Sequence, residues 1–303
     1  MTTENELDSD KRILLGGNVF GHFTDLQETE SIIRTAEELG YCGVDTADTY
    51  SKGTSEEFLG ILLRKTRHRW FIATKVGATS LENGDGLATE KNIRDRLHNS
   101  LKRLRTDYID LYQLHHYDNA TPLEETANAF HRLKSEGKII HAGVSNFSDT
   151  HLSTLKQIPN HPFRFNQIKY SLSSQRIDKF NEDRLRIIAY GVLDRGLFNK
   201  KYLTSTIDKE SRAFSSESIR ADLTEDYKFK LKKLNEIALQ NNTTVTAIAL
   251  KHSLSHKLIS KVIVGYRSSS QLRDLHTQLT SDRITDSILD EARSFFSAAD
   301  SHL

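Results

Sequence analysis

Two aspartates, a tyrosine and a lysine follow the apolar start of the segment GVDTADTYSKGTSEEFLG (43–60). Within it, Asp45 and Tyr50 lie close together, while Lys75 and His115 come near the ends of two later apolar runs. A phenol has a pKa near ~10, which a neighbouring ammonium lowers by favouring the phenolate. A carboxylate would keep that lysine charged, and a histidine could orient a substrate oxygen. Such a group suits reduction of a carbonyl, in which a proton must reach the oxygen as hydride reaches the carbon.

Each of these residues also has an ordinary explanation when it is taken alone. A lysine at a strand end is commonly solvated, a tyrosine there commonly packs, and Asp45 could cap a turn. His115 could be a core histidine, with His116 carrying the role instead. The two histidines could also bind a metal, but adjacent residues on a strand point to opposite faces, which argues against it. The chemistry therefore depends on elements that bring the four residues together.

Short apolar runs alternate with amphipathic segments along most of the chain. The runs lie at 12–20, 41–47, 69–76, 108–116, 139–146, 163–170, 186–193 and 258–266. Helical periodicity covers 28–40, 54–65, 89–105, 122–137 and 148–158, and two further helices are predicted, one beginning near Ser269 and one at about 287–299. Gly40 is a predicted C-cap, and Thr54 or Ser55 a predicted N-cap. This order indicates repeated βα units and a parallel sheet.

The predicted fold class is α/β, and the predicted architecture is an (α/β)8 TIM barrel in a single domain over residues 1–303. Eight strand candidates in 303 residues favour the barrel. An open doubly wound sheet is the alternative, and it would gain from a G-x-G-x-x-G motif after a strand, but GGNVFG lacks that spacing. Because such barrels place their chemistry at the carboxyl ends of the strands, the polar residues that end the runs should meet at one rim.

The composition excludes several classes of function. The 42 basic and 41 acidic side chains give a net charge of +1, which provides no bulk attraction to nucleic acid or to an anionic membrane surface. Cys42 is the single cysteine, so an intrachain disulfide and a cysteine-based zinc site are excluded. No stretch approaches the ~18 apolar residues of a membrane span, and the polar start differs from a signal peptide. We therefore predict a cytoplasmic protein.

Six segments, taken in order, resemble signature motifs of the aldo-keto reductase superfamily. They are GVDTADTY, FIATKVG, LKRLRTDYIDLYQLHHYD, EGKIIHAGVSNF, RFNQIKYS and VIVGYRSSSQLRDL, and the resemblance runs from about Leu15 to Leu275. It implies an (α/β)8 barrel that binds a nicotinamide cofactor, NADPH rather than NADH, without a Rossmann fold. It also implies reduction of an aldehyde or ketone, with Tyr50 as proton donor and Lys75 tuning its acidity. Asp45 would pair with Lys75, and His115 would orient the carbonyl.

The resemblance further implies three groups of cofactor contacts. Those at the nicotinamide would be Ser145, Asn146, Gln167 and Tyr190. Those around the phosphates would be Leu193, Arg195, Gly196, Lys201 and Arg212. Those at the adenosine end would be Gly265, Arg267, Ser268, Gln271 and Asp274. The helix that is predicted to begin near Ser269 would favour the 2′-phosphate of NADPH at its N-terminus.

Three functions fit these motifs. The first is reduction of small carbonyl compounds, which the complete set of four catalytic residue types favours. The second is a binding or regulatory module resembling the potassium-channel β subunits, which keep the fold and the cofactor. The third is reduction of keto-sugars in secondary metabolism. Substrate selectivity is expected from the segments Tyr117–Thr121 and Arg195–Ala221 and from the C-terminal tail.

Overall fold

Eight parallel strands form a closed barrel in the computed structural model of the protein, which describes residues 12–77, 87–175, 177, 185–203, 212–280 and 283–296. The strands are β1 (Ile13–Gly16), β2 (Gly43–Asp45), β3 (Phe71–Val76), β4 (Ile109–Leu114), β5 (Ile139–Ser145), β6 (Phe163–Lys169), β7 (Arg186–Tyr190) and β8 (Ile259–Val264). Each strand pairs in parallel with the next, and β8 pairs with β1. The predicted barrel is confirmed, and the open doubly wound sheet is wrong.

The strands are shorter than the apolar runs that predict them. β1 has only four residues and is followed by a short 3-10 helix, Gly17–Val19. β4 stops at Leu114, so His115 and His116 lie just beyond it. Outside the strand the alternation of side chains no longer applies, and the two imidazole rings stack with centroids 4.9 Å apart. The expectation that these two histidines point to opposite faces is therefore wrong.

Helices follow most strands and cover the outside of the barrel. The first five are α1 (Leu26–Glu38), α2 (Thr54–Leu62), α3 (Glu90–Leu104), α4 (Leu123–Ser135) and α5 (Asp149–Lys156). Those between β7 and β8 are α6 (Arg212–Ser215), α7 (Glu217–Ala221), α8 (Glu225–Gln240) and α9 (Val245–Ser255). After β8 come α10 (Ser269–Leu279) and α11 (Asp286–Ser294). The sequence patterns predict the first five and the last two but not α6 to α9; α9 is buried on most of its surface and so lacks a single apolar stripe.

The helix caps differ from the predicted ones at both α1 and α2. The C-cap of α1 is Leu39, one residue before the predicted Gly40. Gly40, just past α1, has the left-handed φ of 80° that a helix end favours. Ser148 caps α5 in a reciprocal hydrogen-bond arrangement with His151. At α2 the N-cap is Gly53, so the prediction of Thr54 or Ser55 is wrong. The Ser55 hydroxyl instead donates to the Gly17 carbonyl at 2.8 Å, which ties α2 to the segment after β1.

The barrel interior changes from apolar to polar toward the carboxyl ends of the strands. A small interior cluster contains Leu14, Ala73, Leu111, Phe165 and Ile188. Two residues further along β3, β4 and β6, on the same side of each strand, are Lys75, Gln113 and Gln167, all at most 3% exposed. The polar rim predicted from the strand ends is therefore a buried layer that rests directly on an apolar one.

Candidate active site

Lys75 is buried inside the barrel, and its ammonium contacts three oxygen acceptors. Its Nζ forms an ion pair with Asp45, and both side chains are at most 3% exposed. The same ammonium donates to the Thr46 carbonyl oxygen at 2.9 Å and to the Tyr50 phenol oxygen at 3.4 Å. Burial alone would lower the pKa of Lys75, but the charge of Asp45 and the contact with Tyr50 outweigh it and raise the pKa. Lys75 is therefore charged at neutral pH, and its three protons have three acceptors.

Tyr50 lies between this ammonium and His115. The Tyr50 ring packs edge-to-face against the imidazole, with centroids 6.1 Å apart, and the Lys75 Nζ is 5.0 Å from the phenol ring centroid. Burial, and after it the positive charge of Lys75, lowers the pKa of His115 to about 3. The imidazole is therefore neutral at pH 7 and offers one donor and one acceptor. The structure thus brings together all four predicted catalytic residues.

The loop that carries Tyr50 is anchored on both sides of that residue. Before it, the Asp48 carboxylate pairs with Arg96 of α3 at 2.5 Å. After it, Ser51 adopts a left-handed φ of 49° and donates from its hydroxyl to the Phe20 carbonyl at 2.9 Å. Sequence patterns assign Asp48 no role, because nothing local links it to an arginine 48 residues away. Both anchors restrict where the phenol can lie.

Gln113 belongs to the same buried network, although sequence patterns do not identify it. The second oxygen of Asp45 accepts hydrogen bonds from the side-chain amides of Gln167 at 2.8 Å and Gln113 at 3.2 Å. Gln167 also donates to the Gln113 side-chain oxygen at 3.2 Å. Gln113 stands two residues before His115 in an apolar run, and strand alternation alone could have placed it inside the barrel. The amide nitrogen of Gln167 is directed at Asp45, and its contact with nicotinamide stays a prediction.

The other predicted nicotinamide residues meet beside His115. Asn146, at a left-handed φ of 60°, donates from its amide to the His115 carbonyl and to the Ser145 hydroxyl, both at 3.1 Å. Its side-chain oxygen accepts the Tyr190 hydroxyl at 2.7 Å. Ser145 in turn donates to the Gln167 carbonyl at 3.1 Å. The ends of β5, β6 and β7 are thus linked by side-chain hydrogen bonds next to the predicted catalytic residues.

A buried aspartate holds the loop after β7, and sequence patterns do not identify it. Asp194 is 4% exposed and has a left-handed φ of 48°. Its carboxylate accepts the Ser173 hydroxyl at 2.7 Å and the Tyr227 hydroxyl at 2.8 Å, and it lies 3.8 Å from the Lys169 ammonium. Burial and this carboxylate raise the pKa of Tyr227, which stays a hydroxyl donor. The loop is therefore fastened to the chain after β6 and to α8.

The predicted phosphate contacts in this loop differ in how far they are exposed to solvent. Arg195 forms an ion pair with Asp222, and its Nε is buried without a hydrogen-bond partner in the described part of the chain. The Gly196 N–H donates to the Leu193 carbonyl at 2.9 Å, so that predicted backbone donor is engaged within the loop. Lys201 is exposed beside the Tyr202 ring. Arg212 begins α6, but its side chain lies outside the described residues, as do residues 204–211 of the predicted selectivity segment.

The predicted adenosine contacts gather at the N-terminus of α10. The Ser268 hydroxyl accepts the Gln271 N–H at 3.3 Å, and the Gln271 side chain accepts the Arg267 N–H at 2.9 Å. The Arg267 guanidinium lies 4.0 Å from the Phe23 ring centroid. Gly265 and Asp274 are exposed on either side of this group. The helix predicted to begin near Ser269 is confirmed, and its N-terminus lies at the predicted position.

A carboxylate from α1 also reaches this helix N-terminus. The Glu28 side chain accepts the Ser269 N–H at 3.0 Å, and the two residues are 241 apart in the chain. The N-terminal N–H groups of a helix favour an anion, and here one of them already holds a protein anion. Sequence patterns do not reveal this contact, since neither residue has a neighbour that indicates the other.

Neither a metal-binding cluster nor a membrane-spanning helix is found in the described part of the chain. No group of three or more histidine, cysteine, aspartate or glutamate side chains within the described ranges is arranged to hold a metal ion. Among the helices of that same part of the chain, none combines the length and apolar character that crossing a membrane requires.

Comparison with known proteins agrees with the observed barrel fold. The model of the aldo/keto reductase family matches residues 12–293. An L-glyceraldehyde 3-phosphate reductase of Escherichia coli (strain K12) is 29% identical over 276 residues, which cover 84% of this chain and 80% of that protein. A protein of Arabidopsis thaliana named "Probable voltage-gated potassium channel subunit beta" is 25% identical over 272 residues, covering 84% and 83%.

A solved structure extends the comparison to three dimensions. The aldo-keto reductase AKR11C1 from Bacillus halodurans (holo form) superposes with a TM-score of 0.76 and 27% identity, covering 94% of this chain and 91% of that one. The family model spans nearly the whole chain, and the solved structure shares its overall fold. The chain therefore belongs to the aldo/keto reductase family, a family of oxidoreductases.

Proposed function

We propose that the protein is an NADPH-dependent reductase of aldehydes or ketones, with Tyr50 as the proton donor. One observation carries this proposal: the Lys75 ammonium, buried and paired with Asp45, donates a hydrogen bond to the Tyr50 oxygen beside a neutral His115. This arrangement provides a proton donor, a cation to stabilise the donor after it has lost its proton, and a neutral hydrogen-bonding group for the substrate oxygen.

The reaction needs four actions from the chain. Tyr50 transfers its hydroxyl proton to the carbonyl oxygen, and the phenolate that remains keeps the hydrogen bond from Lys75. Asp45 holds Lys75 in its charged form and in position. His115 hydrogen-bonds the carbonyl oxygen and orients it toward the phenol. The nicotinamide, when bound, supplies the hydride that the carbonyl carbon accepts.

Three features of the chain fit a nicotinamide dinucleotide with a 2′-phosphate. Asn146 and Tyr190 are held together beside His115 at the strand ends, where an amide and an aromatic ring could contact nicotinamide. The buried Nε of Arg195 has no partner within the described residues and suits a phosphate oxygen. At α10, Arg267 and the Ser268 hydroxyl add donors at a helix N-terminus.

Glu28 is expected to weaken the binding of NADPH. Its carboxylate holds the N–H of Ser269, the group that a 2′-phosphate would otherwise bind. Replacing Glu28 with glutamine removes a negative charge next to the phosphate, so we expect the Kd for NADPH to fall about tenfold and the Kd for NADH to change less than about twofold. Isothermal titration calorimetry of both cofactors measures these constants. Glu30→Gln makes the same charge change on the same helix and should leave the ratio of the two Kd values, NADPH to NADH, unaltered. If Glu28→Gln also left this ratio unchanged, competition between Glu28 and the 2′-phosphate would be ruled out.

The proposed activity is tested by NADPH oxidation with a panel of aldehydes, ketones and keto-sugars. L-Glyceraldehyde 3-phosphate belongs in the panel, because a relative is named for its reduction. We expect turnover of at least one compound class, with each NADPH consumed matched by one alcohol product. Tight NADPH binding without turnover of any of these compounds would contradict the proposal.

A regulatory module is the second candidate function, and it is supported by the relative named as a potassium-channel β subunit. Such a protein would bind NADPH and act through association with a partner. The four predicted catalytic residues are all present and form a series of contacts from Asp45 through Lys75 and Tyr50 to His115, which favours the reductase. The turnover assay with cofactor binding measured in parallel separates the two.

A further inference from the structure

We propose that Arg96 is a positioning residue for proton transfer from Tyr50, and that it acts from helix α3 by holding the carboxylate of Asp48. Asp48 lies two residues before Tyr50, and the Arg96 Nε is 2.5 Å from its carboxylate. Arg96 would therefore act through the short backbone segment between these two residues rather than on the substrate. This inference rests on the proposed reductase function and adds a residue that the reaction depends on.

The turn that follows Tyr50 has a strained backbone. Ser51 and Lys52, inside the 3-10 turn Tyr50–Gly53, adopt left-handed conformations with φ of 49° and 58°, and neither is a glycine. Such a conformation is unfavourable for a residue with a Cβ and persists only where the surrounding structure holds it. The Ser51 hydroxyl, bound to the Phe20 carbonyl, holds the turn on one side. Without a support on the other side the turn would relax and move the phenol.

Asp48 provides that second support through bonds to two different elements. Its backbone N–H donates to the Lys75 carbonyl, in β3, at 3.3 Å, and its carboxylate pairs with Arg96 of α3. The side chain of Asp48 is 4% exposed, and its second oxygen is buried with no hydrogen-bond partner among the described residues. Loss of Arg96 would leave a buried carboxylate uncompensated, so the segment would have to move toward water to hydrate it.

Arg96 is a fixed point because α3 is firmly packed around it. Ile93 and Leu97 of the same helix are at most 2% exposed, and the Ile93 carbonyl accepts the Tyr112 hydroxyl at 3.5 Å. Burial alone would lower the pKa of Arg96, but the hydrogen bond and the charge of Asp48 outweigh it and raise the pKa. The guanidinium is therefore charged at neutral pH, and the pair with Asp48 is kept.

The charge of Arg96 also acts on the proposed site. Burial lowers the pKa of His115, and interactions with Lys75, His116 and Arg96 lower it further, to about 3. Without Arg96, Asp48 would be an uncompensated negative charge two residues from Tyr50, and a nearby negative charge opposes formation of a phenolate. Arg96 thus cancels this charge and also fixes the turn that carries the phenol.

Arg96→Met tests this role, because it removes the charge and keeps an unbranched side chain. We expect kcat for the carbonyl compound that the wild type reduces fastest to fall about 10- to 100-fold, the effect of moving a reacting group by ~1 Å. The KM for that compound and the Kd for NADPH should stay within about threefold, because no proposed contact with either is removed. Arg96→Lys keeps the charge and should recover part of the rate. A full rate in Arg96→Met would overturn the inference.

Two double-mutant cycles test whether Arg96 acts through Asp48 and Tyr50. Asp48→Asn breaks the same ion pair, so the double variant Asp48→Asn/Arg96→Met should lower kcat no more than Arg96→Met alone. In the Tyr50→Phe background, Arg96→Met should lower the residual rate less than about twofold, because the hydroxyl that it positions is absent. Single-turnover oxidation of NADPH measures all four rates of each cycle. Losses that simply multiply in either cycle would contradict the proposed role.

Arg67→Met is the matched control for general damage to the barrel. Arg67 pairs with Asp110 at 2.6 Å at the amino end of the barrel, and the two side chains are 12% and 16% exposed. Its loss should lower the urea midpoint at least as much as Arg96→Met does, but it should leave kcat within about twofold. Equal losses of kcat in these two variants, measured where both are folded, would show that Arg96 has only a structural role and would overturn the inference.

The outcomes separate this inference from the proposed function. If the wild-type protein reduces no compound of the panel, the reductase proposal fails and the role of Arg96 falls with it. If the wild type is active and Arg96→Met is equally active, the reductase proposal stands and only the role of Arg96 fails.

Discussion

Replacing Tyr50 with phenylalanine should lower kcat for carbonyl reduction by about 10²- to 10⁴-fold, the usual contribution of a general acid. The substitution removes only the hydroxyl that accepts a hydrogen bond from Lys75 and would give its proton to the substrate. The ring, and with it the edge-to-face packing on His115, is kept. The Kd for NADPH should therefore stay within about twofold. Single-turnover oxidation of NADPH measures the first quantity, and calorimetry measures the second.

Tyr108→Phe is the matched control for this substitution. Tyr108 lies just before β4, at the opposite end of the barrel, where its ring lies under the Arg67 guanidinium at 4.1 Å. Loss of its hydroxyl should change neither kcat nor cofactor binding. If Tyr50→Phe also kept its full rate, the proton would have to come from another group, and the role assigned to Tyr50 would be wrong.

Replacing Asp45 with asparagine is expected to lower the free energy of unfolding by about 3–5 kcal/mol, the cost of leaving one member of a buried ion pair without its partner. Lys75 would then be a buried ammonium with no opposing charge, and burial would lower its pKa. The asparagine would also weaken the two glutamine hydrogen bonds to Asp45. Urea denaturation followed by circular dichroism measures the change, and activity should fall with it.

A second substitution and a pH series distinguish the ion pair from general damage to the barrel. Lys75→Met in the Asp45→Asn background removes the unpaired ammonium, so it should restore part of the stability but none of the activity. In the wild type, folding raises the pKa of Lys75. The ion pair therefore stabilises the folded state fully at pH values below the pKa of lysine in the unfolded chain, about 10.4, and this stabilisation is lost as the pH rises through the pKa of Lys75 in the folded protein. The stability of the Asp45→Asn variant should not show this decrease at alkaline pH. Asp95→Asn, in an exposed pair, should show little change in stability.

Much of the barrel and of the grouping of the four proposed catalytic residues could be predicted from the sequence, because both depend on local patterns. Strand periodicity identifies the eight runs, and the rule that barrel chemistry gathers at the carboxyl strand ends is enough to relate Asp45, Lys75 and His115 to one another. The predicted strand boundaries are less accurate, because an apolar run continues in the sequence beyond the last hydrogen bond between neighbouring strands. The stacking of His115 on His116 follows from this, since both residues lie outside β4.

The residues that sequence patterns miss are those whose partners are far away in the chain. Asp48 meets Arg96, Asp194 meets Tyr227, and Glu28 meets the first N–H of α10. Each partner comes from a different element, and the contact depends on how those elements pack. Gln113 is a different case, because its polar side chain stands in an apolar run and is buried only through its bonds with Asp45 and Gln167.

The polar layer inside the barrel also constrains how the strands align during folding. Asp45, Lys75, Gln113 and Gln167 come from β2, β3, β4 and β6, and the hydrogen bond from Gln167 to Asp45 joins residues 122 apart. A slip of one residue in any of these strands would turn its polar side chain toward the helices and leave the others buried without partners. Misaligned barrels are thus penalised by the buried polar groups that surround Lys75 in the proposed site. The proposed active site therefore also specifies the strand register in which the barrel closes.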